Sequence, residues 1–265
     1  MYSPLQLAAK YLRYLFTASN GKGHGMHSPF IFEFITKLMN DTTQYPAYAQ
    51  VEALRRQLRK ENAVLVVEDM GAGSGHRQSS RRKVKDIARH AAKPARYGQL
   101  LYRMVRHYQP ERVMELGTSL GLTTAYLALA QPSAPVITME GAKAVAAKAK
   151  ENLQWLGAGN VTLVEGNFDD TLAPVLQQQG RLDFAFIDGN HRLEPTVRYF
   201  EQMLPCLHAG SILVFDDIHW SREMEQAWHT IQAHDAVRCT LDLFFIGIVF
   251  FRKEFYEKQH FTIRF

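Results

Sequence analysis

The chain has 265 residues, 46% hydrophobic and 22% charged, with a formal net charge of +5. This is an ordinary globular composition and excludes a disordered, collagen-like or disulfide-stapled chain. Two cysteines, Cys206 and Cys239, lack a CxxC spacing, and the longest strongly apolar run, Leu243 to Phe251, falls far short of the roughly 20 residues that a bilayer span needs.

The N-terminal Met-Tyr-Ser-Pro-Leu-Gln has no basic stretch followed by an apolar one. No secretory leader or membrane partner is therefore expected, and the expected location is the cytoplasm. Leu5, Leu7, Ala8, Tyr11, Leu12 and Leu15 recur at helical spacing, as do Phe30, Phe34, Ile35 and Leu38 after a Ser28-Pro29 start signal. Asn20 to Gly25, with three glycines, reads as a loop, and His24 and His27 read as loop or capping residues. A third helix is expected over Ala47–Lys60 and a short strand over Val64–Val67. Basic residues concentrate between Arg55 and Arg96, opposed by few acids. No internal repeat is evident.

From residue 96 the pattern alternates. Strands are expected at 112–115, 135–139, 161–164, 182–187 and 211–215. Helices are expected at 97–107, 122–130, 143–156, 172–178, 194–207 and 223–234. The strands are short, continuous and rich in Val, Ile, Leu and Phe, as strands covered by helices on both faces are. The alternation implies an α/β, doubly wound, mostly parallel sheet. Two last strand-like runs, Thr240–Phe244 and Ile246–Phe251, have almost nothing between them and so can pair only as an antiparallel hairpin. Residues 1–93 read as an N-terminal helical extension with a basic, glycine-rich loop, and 94–265 as the sheet domain.

Two glycine-rich turns compete for a nucleotide. Gly71-Ala-Gly-Ser-Gly75 is the fuller glycine pattern, but the polar His-Arg-Gln-Ser-Ser-Arg-Arg-Lys follows it. Glu115-Leu-Gly117-Thr118-Ser119-Leu-Gly121 has the better context. A buried-type helix follows it, and then a strand that ends on the carboxylate of Glu140. Glycines allow close backbone approach, the helix start offers amide donors, and a carboxylate at the tip of the second strand can accept ribose hydroxyls.

From about residue 94 to 253 the sequence resembles the class I S-adenosylmethionine-dependent O-methyltransferases, especially the catechol and caffeoyl-CoA type. Six segments carry the likeness in order: Gly98-Gln-Leu-Leu101, Glu115 to Gly121, Glu140, Glu165-Gly-Asn167-Phe168, Phe186-Ile-Asp188-Gly-Asn-His191, and Phe215-Asp216-Asp217-Ile-His-Trp220. The resemblance implies a seven-stranded, Rossmann-like methyltransferase sheet ending in the antiparallel hairpin. It also resembles a bacterial group of uncharacterised methyltransferases through His-Ser-Pro-Phe, Gly-Ala-Gly-Ser and Asp-Asp-Ile-His-Trp-Ser. The implied cofactor is S-adenosyl-L-methionine, bound by Glu115, Gly117, Thr118, Ser119, Gly121, Thr123, Glu140, Gly141, Asn167, Phe168 and Asp188. The alternative for Phe168 is a core position, and for Ser119 and Thr123 a simple helix start.

Asp188, Asp216 and Asp217 end neighbouring strands, and like charges brought together call for a cation. Oxygen ligands suit Mg2+, Ca2+ or Mn2+, and the resembling enzymes hold a divalent ion at these positions. The alternative is that the carboxylates orient cofactor and substrate without an ion. His191 stands where those enzymes carry a lysine that takes the substrate proton. With Asp188 it is the candidate catalytic residue, although it could also be a ligand or a hydrogen-bond donor. His219 and Trp220 are expected near the same site or packed at a helix start. The Gly71–Arg82 segment is expected to fold over the site as a loop.

The sequence thus predicts methyl transfer to an oxygen of a small-molecule acceptor, with metal assistance open. Self-association is expected through apolar faces of the first two helices. One alternative is an RNA methyltransferase using the basic stretch, with Tyr97 and Tyr102 for stacking. The absence of an Asn-Pro-Pro-Tyr-like motif argues against a base amine as target. A second alternative is a non-catalytic cofactor-binding module. An NAD-dependent oxidoreductase fits worst, because the terminal hairpin has no role in it.

Overall fold

The computed structural model describes residues 1–68, 79–90 and 93–265. In chain order it contains α1 (Pro4–Thr17), α2 (Pro29–Glu33), α3 (Pro46–Leu58), β1 (Val64–Glu68), β2 (Ser79–Lys83), α4 (Val84–His90), α5 (Ala95–Tyr108), β3 (Val113–Leu116) and α6 (Leu122–Ala130). It continues with β4 (Val136–Glu140), α7 (Lys143–Trp155), β5 (Val161–Glu165), α8 (Phe168–Gln179), β6 (Phe184–Ile187), α9 (Leu193–Met203), β7 (Ile212–Asp216), α10 (Arg222–Ala233), β8 (Cys239–Asp242), β9 (Ile246–Phe250) and β10 (Gln259–Thr262). The main sheet has eight strands in the order β10-β8-β9-β7-β6-β3-β4-β5, and β1 and β2 form a separate antiparallel pair. No helix among the described residues is long and apolar enough to cross a membrane.

The chain divides into two compact units, Thr43–Gln178 and Met1–Thr42 with Gln179–Phe265. In the first, β3, β4 and β5 pair in parallel. All four residues of β3 are buried, the carboxylate Glu115 among them. Helix α5 approaches α6 closely. A side chain at Gly98 would put its Cβ 2.4 Å from the ring of Tyr126, which is fully buried and donates its hydroxyl to Glu52 at 2.9 Å. Tyr97 and Tyr102, read as stacking platforms for RNA, are instead 1% and 5% exposed. Tyr102 packs edge-on against Tyr48 and tilted against Tyr45. Apolar area that large is worth more in a core than at a wet surface.

In the second unit β6 and β7 pair in parallel, and β9 runs antiparallel to both β7 and β8. The expected terminal hairpin is present. All five β9 residues are buried, because the strand lies between β7 and β8 rather than at an edge. The expected strand count needs a correction. Gln259–Thr262 pairs in parallel with β8 and makes an eighth strand. Its polar, half-exposed sequence gave no apolar run to reveal it.

Two further expectations change. Phe30–Leu38 is not one α-helix: α2 ends at Glu33 and a π-helical stretch covers Phe34–Met39. The wider turn still buries Phe34, Ile35, Leu38 and Met39. The Gly71–Arg82 segment is not all loop either. Residues 79–83 form β2, with Arg81 opposite Val66 and Lys83 opposite Val64. Pairing to an apolar neighbour overrides the weak strand propensity of Ser-Ser-Arg-Arg-Lys. Residues 69–78, which hold the glycine-rich turn, lie outside the described residues.

Candidate active site

In the Thr43–Gln178 unit the predicted cofactor residues assemble at the ends of β3, β4 and β5. Gly117 and Gly121 take φ values of 99° and 80°, and Ser119 between them takes 48°. Glycine adopts such values without a Cβ penalty. At Gly121 a Cβ would also stand 3.2 Å from Leu153 Cγ of α7. The turn is pinned to β4, since the amides of Gly117 and Thr118 both donate to the Met139 carbonyl at 3.0 Å. Thr123 is half-buried in the first turn of α6.

Glu140 ends β4 and reaches back to this turn. Its Oε2 accepts the Ser119 amide at 2.9 Å, and its Oε1 accepts the Ala142 amide at 2.9 Å. These two amides, one on each carboxylate oxygen, fix its orientation. The Gly166 amide donates to the Glu140 carbonyl at 3.0 Å, which draws the turn after β5 to the same strand tip. Asn167 caps α8 there, with its Oδ1 accepting the Asp169 amide at 3.2 Å. Phe168 follows as the first helical residue and is half-buried, as are Gly141 and Asn167.

Glu115 has a different place. It is fully buried, and its Oε2 accepts the hydroxyls of Thr138, at 2.6 Å, and of Thr124. Thr118, 2% exposed, hydrogen bonds Thr138 at 2.6 Å. Glu115 therefore braces the glycine turn from beneath. Asn152 of α7 adds a support that the sequence reading missed: its buried amide donates to the Leu120 carbonyl at 2.9 Å. A polar residue among the apolar positions of that helix was the available signal.

In the other unit, Asp188 follows β6 and its Oδ1 lies 3.2 Å from His191 Nε2. Asn190 and His191 both have positive φ, 69° and 26°. Two successive non-glycine residues in this region store strain of order 1–3 kcal/mol each, as segments that aim functional groups often do. Asn190 donates to the Tyr199 hydroxyl at 2.8 Å. Asp216 ends β7 and is 1% exposed. Asp217 is half-buried at φ 53°, with its amide held by the Phe245 carbonyl at 2.7 Å.

The donor chemistry of Asp188, Asp216 and Asp217 suits a hard divalent ion. Among the described residues no group of three or more His, Cys, Asp and Glu side chains has an arrangement that could hold a metal ion. Asp188 is engaged with an imidazole instead.

His219 and its surroundings form a network of their own. Its Nδ1 lies 3.0 Å from Glu225 Oε1, and its Nε2 lies 2.7 Å from Asp242 Oδ2. Glu225 also accepts from Tyr2 at 2.6 Å and from Lys10 at 2.9 and 3.0 Å. Burial by itself would lower the His219 pKa. Hydrogen bonding to Asp242, then its charge and those of Glu225, outweigh burial and raise it above the ordinary imidazole value. The ring also stacks on Phe244, with centroids 5.2 Å apart. His219 is thus a half-buried tie between two carboxylates, and Trp220 accepts the Tyr2 amide through its carbonyl at 3.2 Å.

Comparison with known proteins follows this geometry. A family model described as a methyltransferase domain matches residues 114–218. A catechol O-methyltransferase of Mycobacterium tuberculosis is 35% identical over 126 residues, 47% of this chain and 56% of that protein. Catechol O-methyltransferase B of Danio rerio is 29% identical over 180 residues, 63% of this chain and 66% of that protein. The chain thus spans less than two-thirds of the length of either relative. A crystal structure of a Podospora anserina methyltransferase bound to S-adenosylhomocysteine shares the fold, with a TM-score of 0.60 at 14% identity over 85% of this chain and 97% of that one. Residues 114–218 thus match a methyltransferase domain, and the chain is similar there to the catechol O-methyltransferases.

Proposed function

We propose that this chain transfers a methyl group from S-adenosylmethionine to an oxygen of a small-molecule acceptor. The observation that carries the reading is the Glu140 carboxylate, oriented by the Ser119 and Ala142 amides beside the Gly117–Gly121 turn. In this reading Glu140 holds the ribose hydroxyls, and Gly117, Thr118, Ser119, Gly121 and Thr123 cradle the methionine part. Gly141, Asn167 and Phe168 flank the adenine, while Glu115 acts beneath the turn. Bound cofactor supplies an electrophilic sulfonium methyl. His191 takes the proton that the acceptor oxygen loses as it gains the methyl group. Asp188, 3.2 Å from His191, steadies the resulting imidazolium and helps to orient the sulfonium end. Residues 1–93 are proposed to choose the acceptor. No step is assigned to a metal.

The test is thermal melting with S-adenosylhomocysteine, with NAD as control. A ligand at 100 times its Kd adds about 2.7 kcal/mol, which is a clear rise in Tm. A shift with S-adenosylhomocysteine alone is expected. Glu140→Gln should weaken binding roughly 10- to 100-fold, the value of a hydrogen bond to a charged acceptor. No shift in the wild type overturns the reading. A shift without turnover on any of a panel of phenols, catechols and carboxylic acids favours a non-catalytic binding module. Turnover abolished by a chelator and restored by Mg2+ would assign Asp188, Asp216 and Asp217 to an ion.

A further inference from the structure

Helix α1 is apolar on two opposite faces. Its inner face is occupied: Tyr11 meets Phe244 edge-on at 4.9 Å between centroids, Tyr14 lies 5.2 Å from the same ring, and Leu7 and Leu15 pack against this cluster. Lys10 and Tyr2 fasten the helix to Glu225, and the Tyr14 hydroxyl donates to the Ile263 carbonyl. Its outer face is bare. Leu5 is 84% exposed, Leu12 55% and Phe16 86%, and Ala8 and Ala9 between them are exposed as well. Positions 5, 8, 9, 12 and 16 follow the spacing of one helical stripe. A helix held this firmly cannot roll the stripe inward.

The stripe has a symmetry of its own. Leu5 and Leu12 are placed equally about the midpoint between Ala8 and Ala9. A two-fold axis through that midpoint relates position i to 17 − i of a second copy. It sets Leu5 against the other copy's Leu12, with the small alanines at the crossing, where they allow close approach. Phe16 then reaches the start of the other helix, where Met1 is 87% exposed. A self-complementary patch is what a two-fold interface requires.

Charge agrees with this pairing. Helix α1 contains no acidic residue, and its exposed cation, Arg13, lies off the stripe. At 1.5 Å per residue the two Arg13 residues stand about 13 Å apart along the axis, beyond a Debye length at physiological salt. Antiparallel helix dipoles also attract. Four large side chains of this exposure cover about 500 Å² per copy, or ~1,000 Å² in total, the lower limit for a specific interface.

We propose that the outer face of α1 is an antiparallel, two-fold contact with a second copy of this chain, through Leu5, Ala8, Ala9, Leu12 and Phe16. The expected association is weak, with a Kd in the micromolar range.

The test is sedimentation of the full chain between about 1 and 100 µM, followed by cysteine cross-linking. Dimer is expected to accumulate across this range. Leu12→Glu should raise the Kd at least tenfold while leaving Tm and S-adenosylhomocysteine binding unchanged. In a Cys206→Ser background, Ala9→Cys lies beside the axis and should cross-link under mild oxidation. Leu5→Cys should not, because its mate is seven residues away across the pair. Cys239 will not interfere, since burial pushes its thiol up to about 12. A wild-type chain that stays monomeric at 100 µM overturns the proposal. So does cross-linking of Leu5→Cys as efficient as that of Ala9→Cys, or a monomer whose α1 binds anionic phospholipid vesicles instead.

Discussion

Glu225 shows how much one side chain can hold in place. Tyr2, Lys10 and His219 all converge on it, so it links α1 to the loop after β7. Burial works to raise its pKa, but the hydrogen bonds from Tyr2, Lys10 and His219 prevail and lower it. A carboxylate whose folded pKa is lowered gives stability above its unfolded pKa and loses it as pH falls through the folded value. The Tm of the wild type should therefore fall below about pH 4.5 more steeply than that of Glu225→Gln, which should be less stable at pH 7 by on the order of 2 kcal/mol. Parallel melting curves for the two proteins between pH 3 and 7 would refute this. Glu115 makes a related prediction. Thr138→Val keeps the shape of the side chain but removes one of the two hydroxyls on a fully buried carboxylate. It should cost about 1–3 kcal/mol in urea unfolding, and it should loosen S-adenosylhomocysteine through the turn that Glu115 braces. Sequence showed these residues as types, a carboxylate after a strand or a histidine after two aspartates. It did not show which oxygen meets which hydroxyl. Glu115 reads like a ligand in one dimension and is a brace in three.

Elements were readable where periodicity was strong. Helix α6 has its expected bounds, and every strand from β3 to β9 lies within two residues of its expected position, because most of these strands are buried and carry short apolar runs. Helix α4 and strands β2 and β10 were missed, since polar sequence there is held by pairing or docking rather than by its own pattern. Packing between elements can also reverse a local preference. In α5, alanine is favoured over Gly98 by about 1 kcal/mol of helix propensity. The added Cβ would meet the buried Tyr126 ring at 2.4 Å, and overpacking of that kind costs about 1–3 kcal/mol. Gly98→Ala should therefore lower Tm despite the better helix former. A rise would show that Tyr126 can move aside.

At the scale of the whole molecule, the basic stretch and the apolar first helix raise the question of partners. Arg81, Arg82 and Lys83 are exposed on β2, but Tyr97 and Tyr102 are buried, so the stacking platform of the RNA reading is gone. Filter binding to a structureless RNA at 150 mM salt should be weak, and it should respond to salt like any patch of three to four cations. Tight, salt-resistant binding would revive that alternative. The exposed face of α1 points instead to self-association.

The sequence by itself determined the class of the fold, the strand alternation, the final hairpin and the strand tips that carry the candidate cofactor residues. Each of these follows from hydrophobic period or from glycine at a strand end, which are local properties of the chain. Tertiary structure alone decided that Glu140 is oriented by Ser119 and Ala142, and that His219 lies between two carboxylates. It also decided that Leu7, Tyr11 and Tyr14 face inward while Leu5, Leu12 and Phe16 face out. A helix that is apolar on two faces does not say which of them is buried. Only the surface it packs on, here Phe244 and its neighbours, makes that choice.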